Sequence, residues 1–205
     1  MLRSFFLLPA LLPALAFGLR HQDEAEAPDL RAGTTFAVDA MHSSVLFRVT
    51  HLKAGVFWGR FNDVKGTFKI DDDDLTESFV KVTIPVESVD TNSKDRDKHL
   101  LGPDFFNAKE YPTMSFESSK IERAGDKYRV HGTLELRGTK KDVVFDVTHN
   151  GTAKLSDRFG LRSGYEAIAT INRTDFGVSY MSDGGALGND VRIVIGVEGT
   201  VAEGK

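Results

Sequence analysis

An all-β protein of about eight antiparallel strands is what this sequence predicts, on three observations. From Thr34 onward apolar residues recur on alternate positions, the period of a strand with one buried face. Turn signals punctuate the runs: Asp71 to Asp74, Ala124-Gly125-Asp126, Arg137-Gly138, Asn150-Gly151 and Asp183-Gly184-Gly185. The solid apolar runs and long intervening helices of a parallel sheet are missing. Amphipathic antiparallel strands in this number make either a two-sheet sandwich or a closed barrel. A closed barrel removes the edges, and its interior is filled by side chains or holds one small ligand.

The chain starts with a different pattern. Met1-Leu2-Arg3 is a short positive start, and Ser4 to Gly18 is an apolar run broken by Pro9 and Pro13. It is shorter than the roughly 20 apolar residues of a membrane-spanning helix, and the prolines interrupt it. Residues 1–18 therefore read as a secretory signal peptide, cleaved between Ala16 and Gly18, which places the protein in the periplasm or outside the cell without stable membrane insertion. Residues 19–33, rich in Glu, Ala and Pro, read as a flexible leader. The domain then runs over 34–202.

Eight alternating sets follow in order. Val45, Phe47 and Val49 form the first; Val64, Gly66, Phe68 and Ile70 the second; Val80, Val82, Ile84 and Val86 the third. Met114 and Phe116 form the fourth, Tyr128 to Leu136 the fifth, and Val143, Phe145 and Val147 the sixth. Phe159, Leu161, Tyr165, Ala167, Ala169 and Ile171 form the seventh, and Val191, Ile193, Ile195, Val197 and Val201 the eighth. One segment breaks the period. Ser93 reads as a helix N-cap, Asp95 and Asp97 favour the first turn, and Gly102-Pro103 stops the helix. Leu100, Leu101, Phe105 and Phe106 beside it need something to cover, and a barrel end is the obvious place. His51 to Gly55 reads as a second helical turn.

Composition narrows the chemistry. The 205 residues carry a formal charge of −4, without the basic footprint of a nucleic-acid binder. Cysteine is absent, which removes disulfides, thiolate catalysis and zinc–thiolate or iron–sulfur sites. The six histidines show no metal-binding spacing, so no metal is expected. Asp71 to Asp74 lacks the ligand spacing of a calcium loop and reads as a solvated hairpin turn. No P-loop and no Gly-x-Ser-x-Gly occurs. Phenylalanine is abundant, with 15 against one tryptophan and four tyrosines. Such an interior is either a packed core or the wall of an apolar cavity.

Nine motifs occur in order: Asp39-x-x-His42-Ser43, Phe47-x-Val49-x-His51-Leu52, Gly59-x-Phe61, Asp90-Thr91, Arg96-Asp97-x-His99-Leu100, Asp104-Phe105-Phe106, Tyr111-Pro112-Thr113-x-x-Phe116-x-Ser118, Gly132-x-Leu134-x-x-x-Gly138-x-x-Lys141 and Arg173-x-Asp175-Phe176-Gly177. Together they resemble the YceI-like family of polyisoprenoid-binding or lipid-binding domains over about residues 34 to 202. Gly138-Thr139-Lys140-Lys141 departs from the family's usual Gly-Val-Thr-Lys. The resemblance implies an extended, lipocalin-like barrel of eight antiparallel strands with a short helical cap and a long hydrophobic channel.

On this basis the expected function is a secreted, non-catalytic binding protein. Its cargo would be an amphiphilic lipid (an isoprenoid, a quinone or a fatty-acid-like chain) rather than a cofactor. Phe47, Phe68, Val82, Ile84, Met114, Phe116, Leu134 and Phe145 are expected to line the channel, and Leu100, Leu101, Phe105 and Phe106 to close its mouth. His42, Arg96 and His99 are the candidates for a polar or phosphate head group, since Arg binds phosphate bidentately. An ion pair with a nearby carboxylate is the alternative for Arg96. A lipid- or quinone-directed enzyme using His42 or His51, and a structural domain with a filled core, are the alternative functions. Either a monomer or a homodimer is compatible with the sequence.

Overall fold

The structure is a computed structural model that describes residues 31–203. The expected signal peptide, and the leader up to residue 30, lie outside the described residues. The strands are β1 (Phe36–Val38), β2 (Ser44–His51), β3 (Gly55–Phe61), β4 (Lys65–Lys69), β5 (Phe79–Pro85), β6 (Val89–Asp90), β7 (Thr113–Ala124), β8 (Lys127–Leu136), β9 (Thr139–Lys154), β10 (Leu161–Asn172) and β11 (Asp190–Val201). One helix, α1 (Lys94–Leu100), precedes β7. Among the described residues no helix is long and apolar enough to cross a membrane.

These eleven segments form eight strands, three of them broken. β1 and β2 pair with successive stretches of one edge of β11: β1 with Gly199 to Val201, and β2 with Arg192 to Gly196. β4 pairs with β1 and β3 with β2, so β3 and β4 are likewise one interrupted strand. β5 continues past Pro85 into β6, which pairs with β3. From β5 the order is β7, β8, β9, β10, β11, and the β1–β11 pairing closes an antiparallel up-and-down barrel. Closure leaves no free edge to cover, which decides barrel over sandwich. The eight alternating sets of the sequence correspond one to one with these eight strands.

Each break also shifts the pleat. Inward residues are Phe36 before the first break and Val45 and Phe47 after it; Phe61 before the second and Val64 and Phe68 after it. A slip of one residue moves every side chain to the other face, so a break must hold its register. Asp39 and Ser43 do this at the first one. The Asp39 amide donates to the Glu198 carbonyl at 2.8 Å, and the Glu198 amide donates to Ser43 Oγ at 3.1 Å. Asp39-x-x-His42-Ser43 is thus a motif that pins the strand break to β11.

Several local expectations are corrected. Residues 52–54 are a hairpin turn between β2 and β3, not a helical turn; Leu52 and Lys53 sit at φ 51° and 56°. Ser93 precedes α1, but its side chain makes no capping bond. Instead, Asp97 Oδ1 accepts the Thr91 amide at 2.9 Å and fixes the approach to the helix. Phe159 points into solvent in the β9–β10 connection, and Val201 at the end of β11 is half-exposed. The acidic turn is not simply solvated. Asp71 is buried, paired with Lys69 and bonded to the Gly33 amide, while Asp72 takes Arg31, Arg123 and the Tyr128 hydroxyl. Arg31 to Gly33, the described end of the expected leader, is therefore held against this end of the barrel.

Glycines set the width of the interior. A Cβ on Gly59 would lie 2.3 Å from the Phe47 ring, and one on Gly132 would lie 2.5 Å from the Phe116 ring. One on Gly199 would meet both Phe68 and Phe36. Each ring therefore lies flat over a bare stretch of neighbouring backbone instead of projecting across the barrel. A Cβ on Gly132 would also stand 2.4 Å from the Glu117 carbonyl oxygen, which no rotamer change relieves. Gly132→Ala is expected to cost about 1–3 kcal/mol, read as a lowered denaturation midpoint, with Phe116 displaced into the hollow.

Candidate functional site

The barrel is hollow. A cavity of about 390 Å³ runs along its axis, within the range of pockets that hold one small ligand. One end is closed. Phe36 stacks on Phe68 at 5.5 Å, Phe68 meets Tyr165 edge-on at 5.5 Å, and the Arg31–Asp72–Tyr128 group lies at the same end. Burial raises the pKa of the Tyr128 phenol above its ordinary value, and the hydrogen bond to Asp72 adds to the shift, so the phenol stays protonated as a donor.

The other end is the mouth, where the lining residues His51, Arg96, His99, Tyr180 and Met181 are exposed. Phe47, Phe68, Val82, Ile84, Met114, Phe116, Leu134 and Phe145 all lie on the cavity wall. β2, β4, β5, β7, β8 and β9 supply them, each from its inward-facing alternate positions. Phe47, Val82, Ile193, Ile195 and Val197 point inward and are only half-buried, because they face the hollow. The filled core of a purely structural domain is not what these strands enclose.

At the mouth, Leu100, Phe105 and Phe106 line the cavity. Leu101 does not; it packs against the core beside them, because a short helix presents only one face to the hollow. His99, Phe105 and Tyr180 form an aromatic cluster with centroids 5.0–5.2 Å apart, and Phe106 meets Phe61 at 5.6 Å. His99 Nε2 is 3.0 Å from Asp104 Oδ2. Among the described residues, Arg96 makes no ion pair with Asp95, Asp97 or another carboxylate. Its guanidinium donates to Thr91 Oγ1 at 2.9 Å and to the Thr91 carbonyl at 2.6 Å, and lies 4.4 Å over the Phe57 ring. A cation on an aromatic face thus stands beside a histidine at the rim.

His42, the third head-group candidate, is not there. It lies on the first strand break, outside the cavity, with Nδ1 2.9 Å from Asp39 Oδ2. This bond is the largest influence holding the Asp39 carboxyl down at about 2, with Arg162 adding to it. Asp39, His42 and Glu198 cluster closely, yet the two carboxylates already share the guanidinium of Arg162, at 2.6 and 3.1 Å. Sequence spacing placed His42 near His51 along the chain, but the strand between them sends the two to different ends of the barrel. His51 reaches the mouth and makes a bridge with Leu187.

Arg173 is a site residue that the sequence reading overlooked. It lies in the Arg173-x-Asp175-Phe176-Gly177 motif, is buried, and touches the cavity wall. Its guanidinium donates to the carbonyls of Gly188, Val178 and Leu187 at 2.8, 2.8 and 3.0 Å. Burial lowers its pKa, but arginine stays charged at neutral pH. Its place in a motif was the available signal. Tyr180, Met181 and Leu187 carried none, since they line the mouth from an irregular loop.

Fold and site together define a class: a closed antiparallel barrel with an apolar lumen open at one end. The YceI-like domain family matches residues 36–199 of this sequence, and the chain belongs to that family. The UPF0312 protein ECA1782 of Pectobacterium atrosepticum is 37% identical over 171 residues, covering 83% of this chain and 87% of that protein. The crystal structure of Burkholderia cenocepacia BcnA superposes with a TM-score of 0.71 at 27% identity, over 80% of this chain and 99% of that one. A polyisoprenoid binding domain from Saccharophagus degradans shares the fold, with a TM-score of 0.61 at 14% identity over 82% of this chain and 99% of that one.

Proposed function

We propose that this protein is a secreted or periplasmic carrier that holds the apolar chain of an isoprenoid, quinone or fatty-acid-like lipid in its barrel, for transport, storage or stress protection. The observation that carries this reading is the shape and chemistry of the cavity: an elongated apolar lumen, closed at the Phe36 end and opening among Arg96, His99 and the aromatic cluster. Such a site takes a chain by its tail and leaves a polar head at the rim. Each buried CH₂ contributes about 0.8 kcal/mol, so a five-carbon isoprene unit contributes on the order of 4 kcal/mol before ordering costs. No catalytic group is needed for this role. The family and the polyisoprenoid-binding barrel of Saccharophagus degradans point the same way.

Native mass spectrometry of protein purified without detergent from its secretory compartment, followed by solvent extraction, tests the reading. A stoichiometric lipid with a long apolar chain is expected. A bare polypeptide mass that takes up no chain when offered isoprenoid alcohols, quinones and fatty acids would overturn it.

A further inference from the structure

We propose that the outer face of the β2–β3 hairpin, together with the adjoining strand β11, is a docking surface for an anionic lipid bilayer, which seats the mouth of the barrel on the membrane. This rests on the carrier reading above and adds where the cargo is loaded.

The residues that carry it are cationic and aromatic. In cross-strand register on the outside of the barrel, Arg192 of β11 stands opposite Arg48 of β2, and Arg48 opposite Trp58 of β3. Like charges directly opposite each other on a sheet destabilise it. Among the described residues, neither arginine nor Lys53 at the hairpin tip makes an ion pair, and the nearest outward acid on β11 is Asp190, two residues from Arg192. This unpaired positive face belongs to a chain whose overall charge is −4, so it is a local feature with an electrostatic cost.

Apolar groups interleave with it. Leu52 is 59% exposed at the hairpin tip, and Val56 and Trp58 are each 47% exposed along β3. Met181, 43% exposed, continues the set into the β10–β11 loop. That loop is tied to the hairpin, since the Leu52 amide donates to the Ala186 carbonyl at 2.7 Å and the Gly188 amide to the Thr50 carbonyl at 2.8 Å. Leu52, Lys53 and Met181 all have positive φ, a costly backbone state for residues with side chains. Tryptophan with flanking cations and protruding aliphatic groups is the composition of a surface that sits at a lipid head-group layer. Basic residues there are drawn to anionic lipid. The surface adjoins the mouth directly, because His51 and Leu187, which bridge behind the tip, line the cavity. A chain leaving a bilayer under this face enters the lumen without crossing water.

Trp58 is the single tryptophan of the chain, so its fluorescence reports this face alone, whatever the N-terminal apolar run does. The full chain is mixed with vesicles of phosphatidylethanolamine and phosphatidylglycerol carrying brominated acyl chains, and separately with brominated phosphatidylcholine vesicles. On the anionic vesicles Trp58 emission is expected to shift to the blue, to be quenched by the brominated chains and to lose its accessibility to aqueous acrylamide. Arg48→Glu with Arg192→Glu, or high ionic strength with the unaltered chain, should weaken this response at least ~10-fold. Trp58 that stays open to acrylamide and unquenched by brominated lipid on anionic vesicles overturns the proposal, as does an equal response to phosphatidylcholine. Uptake of cis-parinaric acid in vesicle-free buffer is measured alongside. Uptake without Trp58 docking leaves the carrier reading standing and removes this one; docking without uptake retains the surface and removes fatty-acid-like cargo from the carrier reading.

Discussion

Phe116→Asp is expected to abolish retention of an apolar chain, with binding of cis-parinaric acid falling at least ~10-fold and the protein losing about 3–5 kcal/mol of stability. Phe116 is buried in β7, its ring lies over Gly132, and it meets Phe145 edge-on at 5.1 Å. A carboxyl at that position has no cation beside it and sits on an apolar wall, where desolvation favours its neutral form and its polar atoms lack partners. Cross-strand neighbours Val82 and Leu134 are also on the wall, so the damage reaches the middle of the lumen. Because this variant also weakens the fold, Ala167→Phe serves as its counterpart. Ala167 lines the cavity from β10, between Val147 and Ile195. A ring there fills the hollow, so binding should fall while the melting temperature holds or rises. Full binding in both variants would place the ligand elsewhere.

The second large effect is expected from Arg173→Met. The variant keeps much of the side-chain volume and removes every donor. Three backbone carbonyls, of Val178, Leu187 and Gly188, lose their partner, and Asn189 Oδ1 loses a contact at 3.3 Å. At about 1–3 kcal/mol for each acceptor left buried and unpaired, a total loss of roughly 3 kcal/mol is expected after some of them regain water. The β10–β11 loop should loosen first, visible as faster amide exchange at Leu187 and Gly188, and the mouth loses the frame that positions Tyr180 and Met181. An unchanged unfolding midpoint and unchanged exchange would mean that the loop's backbone bonds hold it alone.

Legibility differed by element. Eight strands were readable because a half-buried strand writes its inward face onto every second residue, as Tyr128, Val130, Leu134 and Leu136 do in β8. β1 and β3 were harder. β1 is three residues long, and β3 carries outward Val56 and Trp58, so its alternation is masked by apolar residues on both faces. The eight channel-lining residues were legible for the same reason as the strands, since inward and lining are one property in a hollow barrel. His42 and Leu101 were misplaced because their positions depend on a strand break and on a helix face, neither of which has a periodic signature. The acidic turn misled in the same way: composition reports charge, and only the approach of Arg31, Arg123 and Tyr128 shows that Asp72 is partnered rather than simply solvated.

By itself the sequence determined the strand number, most of the inward residues, the helical interruption and, through its ordered motifs, the family. These are local quantities, set by residue period and turn chemistry. The residues left barrel or sandwich, and filled or hollow, open. The resemblance implied a barrel with a channel and a mouth at the helical cap, and the tertiary structure shows the closure, the hollow and the meeting of Arg173 and the β10–β11 loop with Arg96 and His99 at that mouth. Closure depends on pairing between the two ends of the domain, β1 with β11. Hollowness depends on which glycine lies under which ring. Both are contacts between residues far apart in the chain, and no local pattern encodes them.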